Sequence, residues 1–316
     1  MKIAMISRDS TCSIGGISTH MNGLIPELEK RGCEVEVFHG NGSATHTVNL
    51  PVSRRGDLKR FDLIHVQAPP YGPFIEALSV PFVVTVHSPL SEEMKFRHGW
   101  RKMKMRIWRM MEARTLKHAG AVIAVSQFTK DCLMKKSECE ESKVTVIPNG
   151  VDLERYKPDK WEGEHLPIVM ACSRNDARKN LPMTEEALEY VSDRAQVFRA
   201  LGDVPPEEVE QMYRHADIFV TTSFSEGFNL TLLQGMASGC ACVASDIPAH
   251  RELIADAWQG RFFSDCKEMK EQLDFLLKDS VSRGVYGRWA RQRAEQYSWS
   301  KTAEMTMEVY KDVVQA

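Results

Sequence analysis

The sequence of 316 residues has no marked excess of one charge and no long apolar run. Its 41 lysines and arginines nearly balance 43 aspartates and glutamates, and the net charge of −2 argues against a protein that binds nucleic acid as a whole. Apolar runs such as 80–86 and 119–125 reach about seven residues, whereas a membrane-spanning helix needs about 20. Because Arg8 and Asp9 interrupt the apolar start of the chain, no export signal is predicted, and a cytoplasmic location is expected.

The eight cysteines include no CxxC pair, and the ten histidines show neither HExxH nor any other metal-ligand spacing. The sequence thus predicts neither a disulfide framework nor a metal held by the protein. Several cysteines lie in apolar runs, where a reduced thiol behaves as a small hydrophobic side chain, so we expect free thiols in the core. They are Cys12, Cys33, Cys132, Cys139, Cys172, Cys240, Cys242 and Cys266.

Short β-branched runs alternate with longer amphipathic stretches along nearly the whole chain, which predicts the α/β class with two parallel sheets. A turn signal at 148–150 and a polar stretch with two prolines at 157–167 place a boundary between two domains. We expect domains over 1–155 and 156–298, with a C-terminal helix over 299–316 that packs back on the first. The predicted strands are 2–7, 34–39, 62–66, 82–87, 121–126, 143–147, 168–173, 196–201, 217–223, 240–245 and 260–263.

Three features of the first half lie just after predicted strands. Gly15 and Gly16 sit between the opening strand and a helix, where the backbone can approach a ligand and helix N–H groups can bind an anion. A tight turn is the alternative, and the missing third glycine argues against the dinucleotide fingerprint of an oxidoreductase. His87 ends a strand where ligands bind in parallel sheets. Ser126 ends the next one, although a cap of the following helix is the simpler explanation.

Two further features follow strands of the second half. Arg174, Arg178 and Lys179 place three cations within six residues, which could neutralise a diphosphate without a metal. A solvated charged loop is the alternative. Glu226 and the amides of 227–230 precede apolar residues at helical spacing, so they lie at a helix N-terminus, a suitable place for hydroxyl and phosphate groups. A carboxylate there could equally be only a helix cap.

In this order, the features resemble the retaining GT-B glycosyltransferases of the group 1 family, which carbohydrate classifications call family four. The resemblance covers nearly the whole chain, and it depends on the order and spacing of the pieces more than on any one of them. The pieces that carry it are 15–20, 85–87, 121–126, 146–152, Arg174 with Lys179, 226–228 and 297–299.

The resemblance implies two Rossmann-like domains facing each other across a cleft, a UDP- or GDP-linked sugar donor, and a glycan or lipid-linked acceptor bound mainly by the first domain. It also implies transfer with retention of anomeric configuration and no bound divalent metal or other cofactor. The implied catalytic residues are His87, near the sugar and acceptor, Arg174 and Lys179, on the leaving diphosphate, and Glu226, on sugar hydroxyls. The implied donor-binding residues are Gly15, Gly16, Ser126, Arg174, Lys179, Gly227, Phe228, Asn229, Leu230 and Gln234.

The chain departs from the family pattern in the second domain. Gln234 stands where the family has a second glutamate that usually binds ribose hydroxyls, and an amide can still bind a hydroxyl but carries no charge. Asn229 stands where a glycine is common. The segment between Asn180 and Gly202 is one βα unit shorter than in relatives. The resemblance places part of the recognition of the nucleotide base near 198–203, so we expect this recognition to be affected. A catalytically weak or inactive GT-B scaffold or binding protein is therefore the alternative function.

Residues 95–117 contain nine lysines and arginines and a single acid, Glu112. Such a basic amphipathic helix can lie on an anionic membrane, and members of the family often act on lipid-linked acceptors. The alternative, favoured by the general behaviour of amphipathic helices, packs the apolar stripe on the first sheet. Nucleic acid is not an expected partner, because one basic helix is not a recognisable binding module. The stripe is Trp100, Met103, Ile107, Met110 and Met111, flanked by Lys102, Arg106, Arg109 and Lys117.

Overall fold

The structure, a computed structural model, describes residues 1–12, 15–40, 55–67, 79–135, 139–159, 166–201, 204–255 and 259–316. The chain forms two compact units, one of Met1–Gly150 with Trp299–Ala316 and one of Val151–Ser298. The boundary therefore lies earlier than the expected one after residue 155. The reason is that the amide of Val151 donates to the carbonyl of Tyr297 at 3.0 Å, which ties Val151 to the end of the second unit.

The first unit is built on a six-stranded parallel sheet with the order β2-β1-β3-β4-β5-β6, so the chain order reverses between β1 and β3. Its strands are β1 (Lys2–Ser7), β2 (Glu34–His39), β3 (Leu63–Val66), β4 (Phe82–Val86), β5 (Ala121–Ala124) and β6 (Val144–Val146). Its helices before the second unit are α1 (Gly16–Glu29), α2 (Arg55–Leu58), α3 (Leu90–Glu93), α4 (Gly99–His118) and α5 (Gln127–Lys135), with 3₁₀ turns at Met94–Phe96 and Glu141–Lys143.

The second unit contains a five-stranded parallel sheet with the order β11-β10-β9-β7-β8, in which the chain order reverses between β7 and β9. Its strands are β7 (Ile168–Ser173), β8 (Gln196–Leu201), β9 (Ile218–Thr221), β10 (Ala241–Ser245) and β11 (Arg261–Phe263). Its helices are α6 (Leu181–Val191), α7 (Pro206–His215), α8 (Leu230–Ala237), α9 (Pro248–Leu253), α10 (Cys266–Lys278) and α11 (Ser280–Ala294), with a 3₁₀ turn at Ala177–Lys179.

Each sheet is covered on both faces. In β1, Ala4 and Ile6 belong to one apolar cluster, whereas Ile3 and Met5 belong to another, because alternate residues of a strand point to opposite faces. The same alternation divides β7 between two clusters of the second unit. Burial on both faces explains why the strands appear in the sequence as nearly continuous apolar runs. Each of the eleven predicted strands is present, with small shifts at the ends.

The last helix, α12 (Trp299–Gln315), belongs to the first unit and packs on α1. A Cβ atom at Gly23 would lie 2.1 Å from a ring carbon of Trp299, so glycine is needed there for the two helices to approach. The hydroxyl of Thr302 donates to the carbonyl of Pro148 at 2.8 Å, and Tyr310 is fully buried beside the sheet. These contacts join the C-terminus of the chain to the first sheet.

The basic helix α4 corrects one expectation. It packs through Met105, Glu112, Thr115 and Leu116, whereas Trp100, Met103, Ile107 and Met110 are 71%, 53%, 59% and 74% exposed. At 100° per residue, these four side chains lie on the side of the helix opposite the buried one. The expectation that the apolar stripe packs on the first sheet is therefore wrong. No helix among the described residues is both long enough and apolar enough to cross a membrane.

The cysteines also differ in part from expectation. All eight lie in described segments, and none of them forms a disulfide. Cys33, Cys240 and Cys242 are buried, as expected of core thiols, but Cys12 is exposed. Among the residues described, no three His, Cys, Asp or Glu side chains are grouped so that they could hold a metal ion.

Candidate active site

Both sheets place loops at the point where ligands bind in parallel α/β folds, beyond the carboxyl ends of the strands at which the chain order reverses. In the second unit these are the loops after β7 and β9, which contain Lys179 and Glu226. In the first unit they are the loops after β1 and β3, beside the end of β4.

A buried ion pair joins the two loops of the second unit. The ammonium of Lys179 donates to Oε1 of Glu226 at 2.6 Å, and the side chains are 18% and 8% exposed. The hydroxyl of Ser223 donates to the same oxygen at 2.7 Å. The second oxygen, Oε2, receives no hydrogen bond from the described residues. It can therefore accept one from a sugar hydroxyl, as the sequence analysis expected of this carboxylate.

Electrostatics keep Glu226 ionised. Burial alone would raise the pKa of this carboxyl, but the charge of Lys179 and the hydrogen bonds from Lys179 and Ser223 outweigh burial and lower the pKa below its ordinary value. An ionised carboxylate in turn stabilises the Lys179 ammonium in a largely buried position. The pair thus places a positive charge at a strand end without leaving either partner uncompensated.

The backbone around Lys179 is held by the loop after β9. The hydroxyl of Thr222 donates to the carbonyls of Lys179 and Asn180 at 3.2 and 3.1 Å, and the amide of Phe224 donates to the carbonyl of Arg178 at 2.7 Å. Asn180 adopts the left-handed conformation, with φ 51°, which ends the 3₁₀ turn and starts α6. These contacts fix where the Lys179 side chain begins.

The N-terminus of α8 is prepared by Asn229, which is 1% exposed. Its Oδ1 accepts from the amide of Leu232 at 3.1 Å and from the hydroxyl of Thr231 at 2.7 Å, which makes it a helix cap. Its Nδ2 donates to Nε2 of His250 at 2.8 Å, because Nδ1 of that histidine donates to the carbonyl of Ser245. The side chain of Asn229 is therefore used inside the protein, and only its backbone amide is left for the predicted role in donor binding.

The first unit brings together three histidines, His20 on α1, His65 in β3 and His87 just after β4. Nδ1 of His20 lies 2.7 Å from Oδ1 of Asn149, and the rings of His20 and His87 meet edge to face with centroids 4.7 Å apart. Nε2 of His87 lies 3.0 Å from Oε1 of Gln67, whose amide nitrogen contacts the ring of His65 at 3.3 Å. Burial lowers the pKa of His20 to about 4 and that of His65 to about 3, and it lowers the pKa of His87 well below 6.5. All three rings are neutral at physiological pH.

The glycine loop is open where a ligand would approach. Helix α1 begins at the exposed Gly16, and a Cβ atom there would meet nothing within 4 Å. The loop is held nearby because the hydroxyl of Thr19 donates to the carbonyl of Gly15 at 2.9 Å. Packing within the described residues therefore does not require the glycine. Residues 13 and 14 of the motif lie outside the described residues.

Comparison with known proteins decides the family. Residues 49–155 match the family model described as Glycosyltransferase Family 4, and residues 185–293 match Glycosyl transferases group 1. The chain is 30% identical over 411 aligned positions to D-inositol 3-phosphate glycosyltransferase of Corynebacterium urealyticum, covering 99% of this chain and 96% of that protein. This chain belongs to the group 1 glycosyltransferases. It is also 25% identical over 379 positions to phosphatidyl-myo-inositol mannosyltransferase of Mycolicibacterium smegmatis, covering 99% and 94%.

Solved structures show that this glycosyltransferase has the GT-B fold. Sucrose-phosphate synthase from Thermosynechococcus elongatus superposes with a TM-score of 0.82 at 17% identity, covering 99% of both chains. HepE from Anabaena, solved in complex with UDP-glucose, superposes with a TM-score of 0.75 at 17% identity, covering 98% of this chain and 99% of that one. The fold class predicted from the sequence is confirmed.

The remaining predicted site residues of the glycosyltransferase fall into two groups. Gly227 is buried, Leu230 and Gln234 are half-buried on one side of α8, and Arg174 is exposed at the end of β7. Other side chains have internal roles. The ring of Phe228 packs against that of Tyr297 with centroids 6.1 Å apart, and the hydroxyl of Ser126 accepts from the amide of Thr129 at 3.0 Å as a cap of α5.

Sequence reasoning missed several residues of the glycosyltransferase site. Ser223 and His250 support Glu226 and Asn229, and Gln67 with His65 supports His87. One signal was present, since Ser223, like His87, is the last residue of a predicted core strand. The partners of Gln67 and His250 come from other elements, and no spacing in the sequence indicates them.

Proposed function

We propose that this glycosyltransferase moves a sugar from a nucleotide diphosphate sugar to a glycan or lipid-linked acceptor, with retention of anomeric configuration and without a bound divalent metal. The observation that carries the proposal is the buried pair of Lys179 and Glu226 beside the N-terminus of α8. The UDP-glucose complex of HepE supports a UDP-linked donor, although GDP is the second candidate.

The chemistry follows from where charge develops. The bond between the anomeric carbon and the phosphate oxygen breaks, and its electron pair leaves on the diphosphate, so the leaving group gains negative charge. Lys179 has three N–H donors and gives one to Glu226, so others can bind diphosphate oxygens. Arg174 and the amides of 227–230 at the start of α8 add positive potential. Glu226 binds hydroxyls of the sugar, and the acceptor hydroxyl bonds to the anomeric carbon and gives its proton to an oxygen of the departing diphosphate.

Calorimetric titration with UDP and with GDP, each with magnesium and with EDTA, tests the donor assignment. We expect one nucleotide to bind in both conditions and Lys179→Ala to weaken its binding by more than about tenfold. Lys270→Ala is the matched control, because Lys270 forms a 2.8 Å ion pair with Glu186 on the helices of the same unit. Equal affinity in the two variants would refute the role of Lys179. If neither nucleotide binds the wild-type protein, the inactive scaffold becomes the better explanation.

We further propose that α4 places the first unit on an anionic membrane, where a lipid-linked acceptor would be reached. The exposed side chains at positions 100, 103, 107 and 110 repeat with the spacing of one helix face. Lys102, Lys104 and Arg106 are exposed around this face. The single acid, Glu112, lies on the buried side of the helix, where it accepts from the amide of Leu90 at 3.3 Å, and so it is not part of the exposed face. A relative whose name includes phosphatidyl-myo-inositol supports a lipid acceptor.

Co-sedimentation with vesicles tests this surface. We expect binding to vesicles of phosphatidylcholine with phosphatidylglycerol, little binding to phosphatidylcholine alone, and loss of binding at high salt. Replacing Trp100 and Met110 by serine should abolish binding. The matched control replaces Val281 and Trp289 of α11, which are also exposed apolar side chains. Equal binding to charged and uncharged vesicles would overturn the proposal, and so would an equal loss of binding in the control variant. Neither result would affect the donor assignment.

A further inference from the structure

We propose that Gln67 is a positioning residue that holds the ring of His87 in one tautomer and one orientation for sugar transfer. The inference rests on the proposed function and on the family resemblance, which implies that His87 lies near the sugar and the acceptor. It begins from the contact at the ends of β3 and β4, where Oε1 of Gln67 lies 3.0 Å from Nε2 of His87. Gln67 is fully buried, whereas His87 is half-buried, so the histidine is the member of the pair that a substrate can reach.

The ring of His65 determines the orientation of the Gln67 amide. Its nitrogen lies 3.3 Å from both ring nitrogens of His65. The ring of His65 is itself held at both ends, by the hydroxyl of Tyr310 at 2.6 Å and by the hydroxyl of Thr85 at 2.7 Å. A hydroxyl can donate or accept, so both nitrogens of a neutral ring are satisfied. Equal distances to the two ring nitrogens, which already have hydroxyl partners, place the amide nitrogen of Gln67 over the face of the His65 ring. An N–H is attracted to the π electrons of that face and a carbonyl oxygen is repelled by them, so the oxygen of Gln67 faces His87.

An amide oxygen only accepts hydrogen bonds, which decides the tautomer of His87. Its Nε2 must carry the proton and donate to Gln67, and the lone pair of the neutral ring is then at Nδ1. In this tautomer, His87 can accept a hydrogen bond from a sugar or acceptor hydroxyl through Nδ1. The wrong tautomer would present an N–H there and could not accept. Gln67 thus acts on the substrate only through His87.

The choice of glutamine over glutamate has an electrostatic consequence. The titratable groups that act on His87 among the described residues are His20 on α1 and His65 on β3, and both act with burial to lower its pKa. No carboxylate from the described part of the chain contributes. A glutamate at position 67 would place a negative charge beside Nε2 and would favour the imidazolium, which has no lone pair to offer.

Two substitutions test the inference. Gln67→Leu removes the acceptor at similar volume, and we expect kcat to fall by about tenfold or more with little change in KM for the donor. Gln67→Glu should move the acid limb of the pH profile of kcat/KM to higher pH by at least about one unit. Gln211→Glu on α7, an exposed position, controls for the added charge. A wild-type profile in Gln67→Glu would overturn the inference.

An activity-independent measurement separates this inference from the proposed function. In ¹⁵N-histidine NMR spectra of the unliganded protein, His87 should appear as the Nε2–H tautomer, and Gln67→Leu should shift it towards a mixture of tautomers. If no transfer activity is found but the tautomer depends on Gln67, the proposed function fails and the positioning role stands. If the tautomer is unchanged in Gln67→Leu, the positioning role is wrong whatever the activity. Because both variants alter a buried site, circular dichroism must show that each remains folded.

Discussion

Breaking the ion pair between Lys179 and Glu226 should affect stability and transfer differently. Lys179→Ala leaves a carboxylate that is 8% exposed with Ser223 as its remaining donor among the contacts described. Removing one partner of a buried ion pair costs about 3–5 kcal/mol, and the lower end applies here because Lys179 is 18% exposed. Glu226→Gln should cost less, about 1–2 kcal/mol, because the ammonium left behind can still reach water.

The double variant, Lys179→Met with Glu226→Gln, separates structure from function. It removes both charges at similar volume, so its stability should return towards that of the wild type, with a coupling energy of about 1–3 kcal/mol between the two sites. Transfer should not return, because the ammonium that neutralises the leaving diphosphate is still absent. The loss in kcat/KM should exceed about tenfold, equivalent to 1.4 kcal/mol or more of transition-state stabilisation.

The stability of the second unit should be followed separately within the whole chain, because a chain of two units need not unfold in one step. Hydrogen exchange of the amides of β7 and β9 reports the opening of that sheet, and a coupled assay with the preferred donor reports transfer. A double variant that recovers both stability and transfer would refute the reasoning, since the pair would then be a structural element only. A double variant as unstable as Lys179→Ala would refute the coupling.

Other predictions concern packing and acid stability. Gly23→Ala should lower the midpoint of thermal unfolding by several degrees, because the added Cβ would meet Trp299. Gly16→Ala should leave this midpoint unchanged and weaken donor binding. Equal midpoints in the two variants would contradict the packing argument. The pKa of His20 and that of His250 are each lowered to about 4 by burial, so their contribution to stability is complete above pH 6.5 and is lost as the pH falls. Urea unfolding at pH 5 should show a loss of about 2 kcal/mol for each of these histidines, and stability that is unchanged from neutral pH would contradict it. Glu226 affects stability only at lower pH, because its pKa is lowered from the ordinary value of 4.5. Its contribution to the free energy of unfolding is complete above pH 4.5 and is lost as the pH falls further, and hydrogen exchange of the β9 amides should show this loss.

Most of the fold follows from the sequence because strands buried on both faces leave a strong pattern. The strands β1 and β7 carry apolar side chains on both faces, so their positions in the sequence are predictable without knowledge of the neighbouring strands. The face on which a helix packs is less accessible. In α4 the Met and Trp stripe has the composition of a core face, yet the helix is buried around Leu116, and only the position of the sheet decides between the two sides.

The sequence predicts the site residues that belong to motifs at or shortly after the ends of strands. Lys179, Glu226 and His87 belong to this group, because a parallel sheet collects the carboxyl ends of its strands at one edge. Gln67 also directly follows a strand, but it and His250 acquire their roles through side chains from elsewhere in the chain, which no motif indicates. Asn229 illustrates the limit. The motif predicts that its amide helps to bind the donor, whereas the use of its side chain as a helix cap became visible only in the structure.

We expect the departures from the family pattern to affect recognition more than leaving-group chemistry. Gln234 lies on the half-buried side of α8, one turn beyond Leu230, and makes no contact on which the ion pair depends. The described segment between β7 and β8 holds one helix, α6, and it leaves intact the turn that positions Lys179. An amide at position 234 still binds a hydroxyl, so altered donor preference is the expected consequence.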